Sequence, residues 1–276
     1  MSAARFDLTQ SVAIVTGATA GMGAAAAEIF ARSGARLVIT ARTLSKLEAK
    51  AEYLNNRYGS GGTICVFEAG DLGDKVHLQN LVDIAVNRFG KLTTLLMSPT
   101  IAPWIGPSIE TPDNVLDEQL LYVLKSRFWL SSMAIPHMIE AGGGSLIYIG
   151  SGSVFEATTE RSANTIARAG EWQMMKNFAA EYGPQNVRAN IIAPGMVQST
   201  GSQALFDSEQ GQDRISRLPL RRGGTTDEIA LAAAFLASDA SSFTTGMVLP
   251  VDGGRLLHTS NNLLSGVFDK ANLDPL

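Results

Sequence analysis

Ser151 ends the apolar run Leu146-Ile147-Tyr148-Ile149-Gly150. Asn164 stands thirteen residues further on, and Arg168 four beyond that. A hydroxyl, a carboxamide and a guanidinium are all hydrogen-bond donors. On a helix, positions 164 and 168 lie one turn apart on a shared face. Such a trio suits the polarisation of a substrate oxygen. It does not suit proton transfer, because asparagine has no ionisable proton near neutral pH and an arginine with a pKa above ~12 does not readily give one up. A second constellation lies near the start of the chain. The β-branched run Val12–Thr16 leads into Gly17-Ala18-Thr19-Ala20-Gly21-Met22-Gly23 and then into the alanine-rich stretch 24–31. Strand, glycine turn and helix in that order bring free backbone N–H groups close to a pyrophosphate, which points to a nucleotide ligand.

Both constellations need a scaffold that converges on one place. Strand-like runs at Val12–Thr16, Leu37–Thr40, Thr63–Glu68, Leu92–Met97, Leu146–Gly150, Arg188–Ile192 and Met247–Val251 alternate with helical stretches at 23–33, 44–57, 75–89, 114–141, 165–182 and 226–238. Continuous apolar strands alternating with helices predict an α/β fold, a doubly wound parallel sheet in a single domain. Ligands of such sheets bind beyond the carboxyl ends of the strands, where the strand order switches. The 276 residues carry a net charge of −4 and no basic block, so nucleic-acid and anionic-membrane binding are not expected. No apolar run approaches the ~18 residues of a membrane span. Residues 1–10 lack the apolar core of a signal peptide, and the expected compartment is the cytoplasm. Cys65, the single cysteine, sits in the apolar strand Ile64-Cys65-Val66-Phe67 and reads as a packing residue. His77, His137 and His258 share no ligand spacing, so no metal site is expected.

The order of motifs resembles the short-chain dehydrogenase/reductase (SDR) family. The glycine turn is followed by Asp71-Leu72, by Pro194-Gly195-Met196-Val197, by the helical run from Thr226-Asp227-Glu228 to Ser238-Asp239, and by Pro250-Val251-Asp252-Gly253-Gly254. The resemblance covers about residues 9–255 and implies a Rossmann fold over residues 1–255, with residues 256–276 as a C-terminal tail. It implies a dinucleotide held by Gly17, Thr19, Gly21, Met22 and Gly23, with Asp71 accepting from the adenine amino group and Leu72 beside the ring. Further contacts are implied for Pro194, Gly195 and Val197, and Arg168 would bond the nicotinamide ribose. NAD-preferring relatives carry an acid at the end of the second strand. Here that position is Ala41 and the next is Arg42. Arginine can clamp a 2′-phosphate, so NADP(H) is expected rather than NAD(H), with pairing to Glu48 or Glu52 as the plainer role for Arg42.

The catalytic pattern departs from the family. Relatives that interconvert alcohols and ketones use a serine, a tyrosine, a lysine and a helix asparagine. Ser151 matches the serine, while Asn164, Arg168 and Val123 stand at the other three positions. The usual Asn-Asn-Ala-Gly turn is replaced by Met97-Ser98-Pro99-Thr100. None of the five tyrosines has a lysine four or seven residues later. Three readings follow. The chain is an NADP-dependent reductase whose proton comes from Tyr148, Glu156, Glu160 or water; or it runs non-redox chemistry, as a lyase or hydrolase polarising with Ser151, Asn164 and Arg168; or it is a non-catalytic subunit paired with an active relative. The resemblance implies a small apolar carbonyl or alcohol substrate among Met97, Trp104, Phe155, Met196 and Phe206. It makes residues 199–224 either a flap over the substrate or a surface loop. Trp172, Met175, Phe178 and Tyr182 recur at helical steps; the resemblance implies that they form the seam of a homodimer or homotetramer, with ordinary core packing as the competing role. Leu263, Leu264, Val267 and Phe268 in the tail could pack on a neighbouring subunit or fray.

Overall fold

The computed structural model describes residues 6–98 and 101–257. The expectations for Pro99, Thr100, His258 and the tail apolar residues fall outside them. Seven parallel strands form one sheet: β1 (Val12–Thr16), β2 (Arg36–Ala41), β3 (Cys65–Ala69), β4 (Thr94–Met97), β5 (Gly144–Ile149), β6 (Val187–Pro194) and β9 (Val248–Val251). Their order is β3-β2-β1-β4-β5-β6-β9, so the direction of winding switches between β1 and β4. Two short strands, β7 (Val197–Gln198) and β8 (Gly224–Thr225), pair separately with each other.

Side chains leave a strand alternately to its two faces, and both faces are covered here. Ala13, Val15, Leu37, Ile39, Ile147 and Ile149 pack under α1 (Gly21–Arg32), α2 (Leu44–Tyr58) and α9 (Thr226–Ala237). Val12, Ile14, Val38, Leu95, Leu146 and Tyr148 pack under α3 (Lys75–Phe89), α5 (Ser126–Glu140) and α6 (Ser162–Tyr182). This two-sided burial is why the strands read as unbroken apolar runs. Cys65 is buried in the first of these layers, and burial pushes its thiol up to about 12, so it stays protonated.

The stretch 114–141, expected as one helix, is three pieces. α4 (Asp113–Gln119) runs into a π-helical segment at Leu120–Lys125 and then into α5. No glycine or proline marks the change, and its widened turn carries Tyr122 to Asp71. The region 199–224 is neither a bare loop nor a strip of coil. It contains α7 (Gln203–Asp207) and α8 (Glu209–Ser216), and the β7–β8 pair clamps its two ends together. Met175 and Phe178 belong to the core beneath the sheet, so the ordinary packing role accounts for them. Trp172 is only partly buried and packs against Phe155 at 6.0 Å between ring centroids. Among the described residues, no helix is long and apolar enough to cross a membrane.

α9 seats the glycine-turn helix α1 and begins with a capping box. The Thr225 hydroxyl accepts from the Glu228 N–H, and the Glu228 carboxylate accepts from the Thr225 N–H at 2.8 Å. Arg222 pairs with the same carboxylate at 2.5 Å. Arg222 first, then the Thr225 N–H, holds the Glu228 carboxyl down at about 2. A depressed carboxyl stabilises the fold above its unfolded pKa, and that contribution fades as pH falls from 4.5 towards 2. We predict that Thr225→Ala costs about 1 kcal/mol. Thermal melts should fall more steeply below pH 4.5 for the wild type than for Glu228→Gln.

Candidate functional site

The glycine turn lies at the carboxyl end of β1, beside the switch in strand order. Gly17 and Gly21 have φ of +66° and +53°, a region that favours glycine. Gly23 is required for a different reason: a Cβ there would sit 2.4 Å from the Gly17 carbonyl oxygen. Ala20, the residue before α1, supplies no side-chain acceptor to the first-turn N–H groups. A tight backbone cradle with uncapped donors fits a phosphate group, as a bound dinucleotide would require.

At the end of β2, Arg42 is exposed, and among the described residues it makes no ion pair with Glu48 or Glu52. It lies near enough to Tyr122 to act on that phenol through its charge. After β3, the two oxygens of Asp71 are divided. One accepts from the Gly73 N–H at 2.7 Å, and the other accepts from the Tyr122 hydroxyl at 3.1 Å. Partial burial, then the bond to Asp71, raises the Tyr122 phenol above its ordinary range.

Ser151 follows β5. Its Oγ accepts from the Ser153 N–H at 3.2 Å, which leaves the hydroxyl proton free to donate. Asn164 sits in the first turn of α6. Its Nδ2 donates to Gln119 Oε1 at 2.8 Å, and Gln119 Nε2 donates to the Ala102 carbonyl at 3.1 Å. Gln119 is buried, so this chain fixes the Asn164 amide and leaves one of its N–H groups available. Ser151 and Asn164 line one cleft of 790 Å³, together with Met22, Pro194, Gly195 and Val197. Met196 and Phe206 line it too, as expected. Met97 is buried among the core residues, Trp104 folds over Gly106, and half-exposed Phe155 packs on Trp172, so these three do not supply its wall.

Arg168 does not accompany Asn164 into this cleft. It is buried, and its Nη1 donates to Glu171 Oε2 at 2.7 Å and to the Ile149 carbonyl at 3.2 Å. Arg127 approaches from α5, pairing with Glu171 Oε1 and donating to the same carbonyl at 3.1 Å. Burial, offset in part by Glu171, pulls Arg127 down to about 10, so it remains charged at neutral pH.

Two of the proposed proton donors are otherwise engaged. The Tyr148 hydroxyl is buried against Ser131 Oγ at 2.8 Å, and burial raises its pKa. Glu156 pairs with Arg255 at 2.6 Å. Glu160 occupies a turn with φ of +62°, and its carbonyl accepts from the Gly106 N–H. Sequence reasoning missed Arg127, Glu171, Gln119 and Tyr122. Glu171 was visible in principle, three residues after Arg168 on one helix. The other three depend on contacts between distant segments.

A doubly wound sheet with a glycine phosphate cradle opening into a side-chain cleft is the architecture of a dinucleotide-binding α/β fold. The family profile of enoyl-(acyl carrier protein) reductase matches residues 17–255. Dehydrogenase/reductase SDR family member 4 of Caenorhabditis elegans is 32% identical over 247 residues, covering 88% of this chain and 94% of its own. A short-chain type dehydrogenase/reductase from Mycobacterium ulcerans superposes with a TM-score of 0.86 at 26% identity, covering 98% and 99% of the two chains. An NADPH-bound short chain oxidoreductase from Pseudomonas aeruginosa PAO1, described as containing an atypical catalytic center, gives 0.83 at 27% identity over 90% and 98%. The chain belongs to the short-chain dehydrogenase/reductase family.

The buried trio yields a stability prediction. Glu171→Ala strands two guanidiniums and should cost about 3–5 kcal/mol, measured by chemical denaturation. Arg168→Lys should cost less, because a positive charge remains beside Glu171.

Proposed function

We propose that the protein is an NADP(H)-dependent carbonyl reductase with a non-standard site, in which Ser151 and Asn164 hold the substrate oxygen and no side chain delivers the proton. The observation that carries this reading is the shared cleft. Ser151 and Asn164 both face it, each with a donor to spare, beside the intact phosphate cradle. When bound, the reduced dinucleotide supplies the electron pair and hydrogen for the new C–H bond. The Ser151 hydroxyl and the Asn164 amide donate to the carbonyl oxygen and stabilise the negative charge that develops on it. Water in the open cleft then gives that oxygen its proton. Gly17, Thr19, Gly21, Met22 and Gly23 hold the phosphates, while Asp71 and Leu72 flank the adenine. Pro194, Gly195 and Val197 border the nicotinamide end, and Arg42 holds the 2′-phosphate. The NADPH-bound relative described as containing an atypical catalytic center supports this assignment of the cofactor.

Arg168 is assigned a supporting role. It fixes the Ile149 carbonyl two residues before Ser151 and so positions the serine rather than touching the dinucleotide. That same withdrawal favours a second reading, a non-catalytic nucleotide-binding subunit paired with a relative, since the position that usually assists catalysis has become structural. Trp172, partly buried on α6, is then a candidate seam residue. The protein should form a dimer or tetramer that Trp172→Glu shifts to lower mass in light scattering.

Purified protein incubated with NADPH and a panel of ketones, followed at the reduced-nicotinamide absorbance, separates the readings. Turnover that falls at least a hundredfold in Ser151→Ala supports the reductase. Binding of NADPH without turnover of any member supports the subunit. Arg42→Ala should weaken NADPH by about tenfold or more and leave NADH nearly unchanged. An equal loss for both would remove Arg42 from the 2′-phosphate.

A further inference from the structure

The cleft that holds Ser151 and Asn164 is cationic. Arg161, Arg214, Arg217 and Arg255 line it, and no aspartate or glutamate does. Two of the four are neutralised from outside the lining. Arg217 pairs with Asp213 at 2.9 Å, and Arg255 pairs with Glu156 at 2.6 Å. Arg161 and Arg214 have no carboxylate partner among the described residues. They come from different elements. Arg161 precedes α6, next to Asn164, and Arg214 lies in the last turn of α8, within the segment clamped by β7 and β8.

Two plainer roles are available to them. An arginine in the last turn of a helix complements its dipole, and this accounts for Arg214 lying on α8. It does not account for Arg161, which stands at the opposite kind of terminus. There the uncapped N–H groups of α6 add to the positive field. Like charges facing one cleft repel, and an anion placed between them removes that cost. A carbonyl compound whose oxygen sits at Ser151 and Asn164 can reach the guanidiniums with its other end.

We infer that the substrate is an oxo compound bearing an oxyanion group, a carboxylate or a phosphate, held by Arg161 and Arg214. This deepens the reductase reading and rests on it. The apolar side chains Met196, Leu205 and Phe206 then cover the carbon chain between the two polar ends.

The test uses matched pairs that differ only in charge: 4-oxopentanoate against its methyl ester, and dihydroxyacetone phosphate against dihydroxyacetone. With NADPH-loaded protein, the anionic member of at least one pair should exceed its neutral twin by tenfold or more in kcat/KM. Which pair responds tells carboxylate from phosphate. Arg161→Gln and Arg214→Gln should each remove most of that advantage and leave the neutral twin and the NADPH dissociation constant within twofold. Arg214 is exposed and Arg161 half-buried, neither in the core, so the variants should fold, and thermal melts check this. Neutral twins that match or exceed the anions would overturn the inference. So would variants that weaken NADPH as much as the anion, because the arginines would then serve the cofactor. If nothing is turned over, the reductase reading fails separately. Calorimetric titration of the NADPH-loaded protein with the same pairs then decides the anion claim by itself: preferential, Arg161-dependent binding sustains it, and equal binding or none of the anions overturns it.

Discussion

Glu171 draws two guanidiniums, one from α5 and one from α6, onto the carbonyl oxygen of Ile149. Three ionised groups are thereby taken out of water beneath the end of β5. Their desolvation costs several kcal/mol per ion, and only close pairing and hydrogen bonding offset it. The network is therefore a weak source of stability but a strong constraint on geometry, since no member can move without leaving a buried charge exposed to apolar surroundings. Ser151 leaves the same strand two residues later, and Asn164 leaves the same helix one turn earlier. The placement of both donors follows from the constraint.

The scaffold was legible in the sequence because it obeys local rules. Every strand expected appears within a few residues of its place, as do the helices α1, α2, α3, α6 and α9. Apolar strands covered on both faces and helices with an apolar stripe leave a periodic trace. The glycine turn was equally plain, since Gly17, Gly21 and Gly23 answer to backbone requirements that few other residues meet.

The site was legible only in outline. Asn164 and Arg168 are one turn apart, yet one faces the cleft and the other turns under β5, because the partner that claims Arg168 arrives from α5. Spacing gives the direction in which a side chain leaves the helix and says nothing of the acceptor it finds. The π-helical widening at Leu120–Lys125 has the same character. Nothing in its composition breaks a helix, and its register is set by Tyr122 reaching Asp71. Met97, Trp104 and Phe155 show the limit from the apolar side: hydrophobic residues near a site are recruited by whichever surface lies nearer.

The β7–β8 clamp has a consequence for how such a protein can change. Everything between Gln198 and Gly224 begins and ends at one point, where two backbone segments are already paired. For a flexible segment, lengthening adds only slowly to the entropy of closing a loop, and here the sheet does not have to open to admit it. The excursion carrying Phe206 and Arg214 is thus a replaceable cassette, while the dinucleotide cradle across the cleft is assembled from β1 and α1, which the cassette does not include. Selection can rewrite what the cleft accepts, in size and in charge, without reopening the question of how the nucleotide is held.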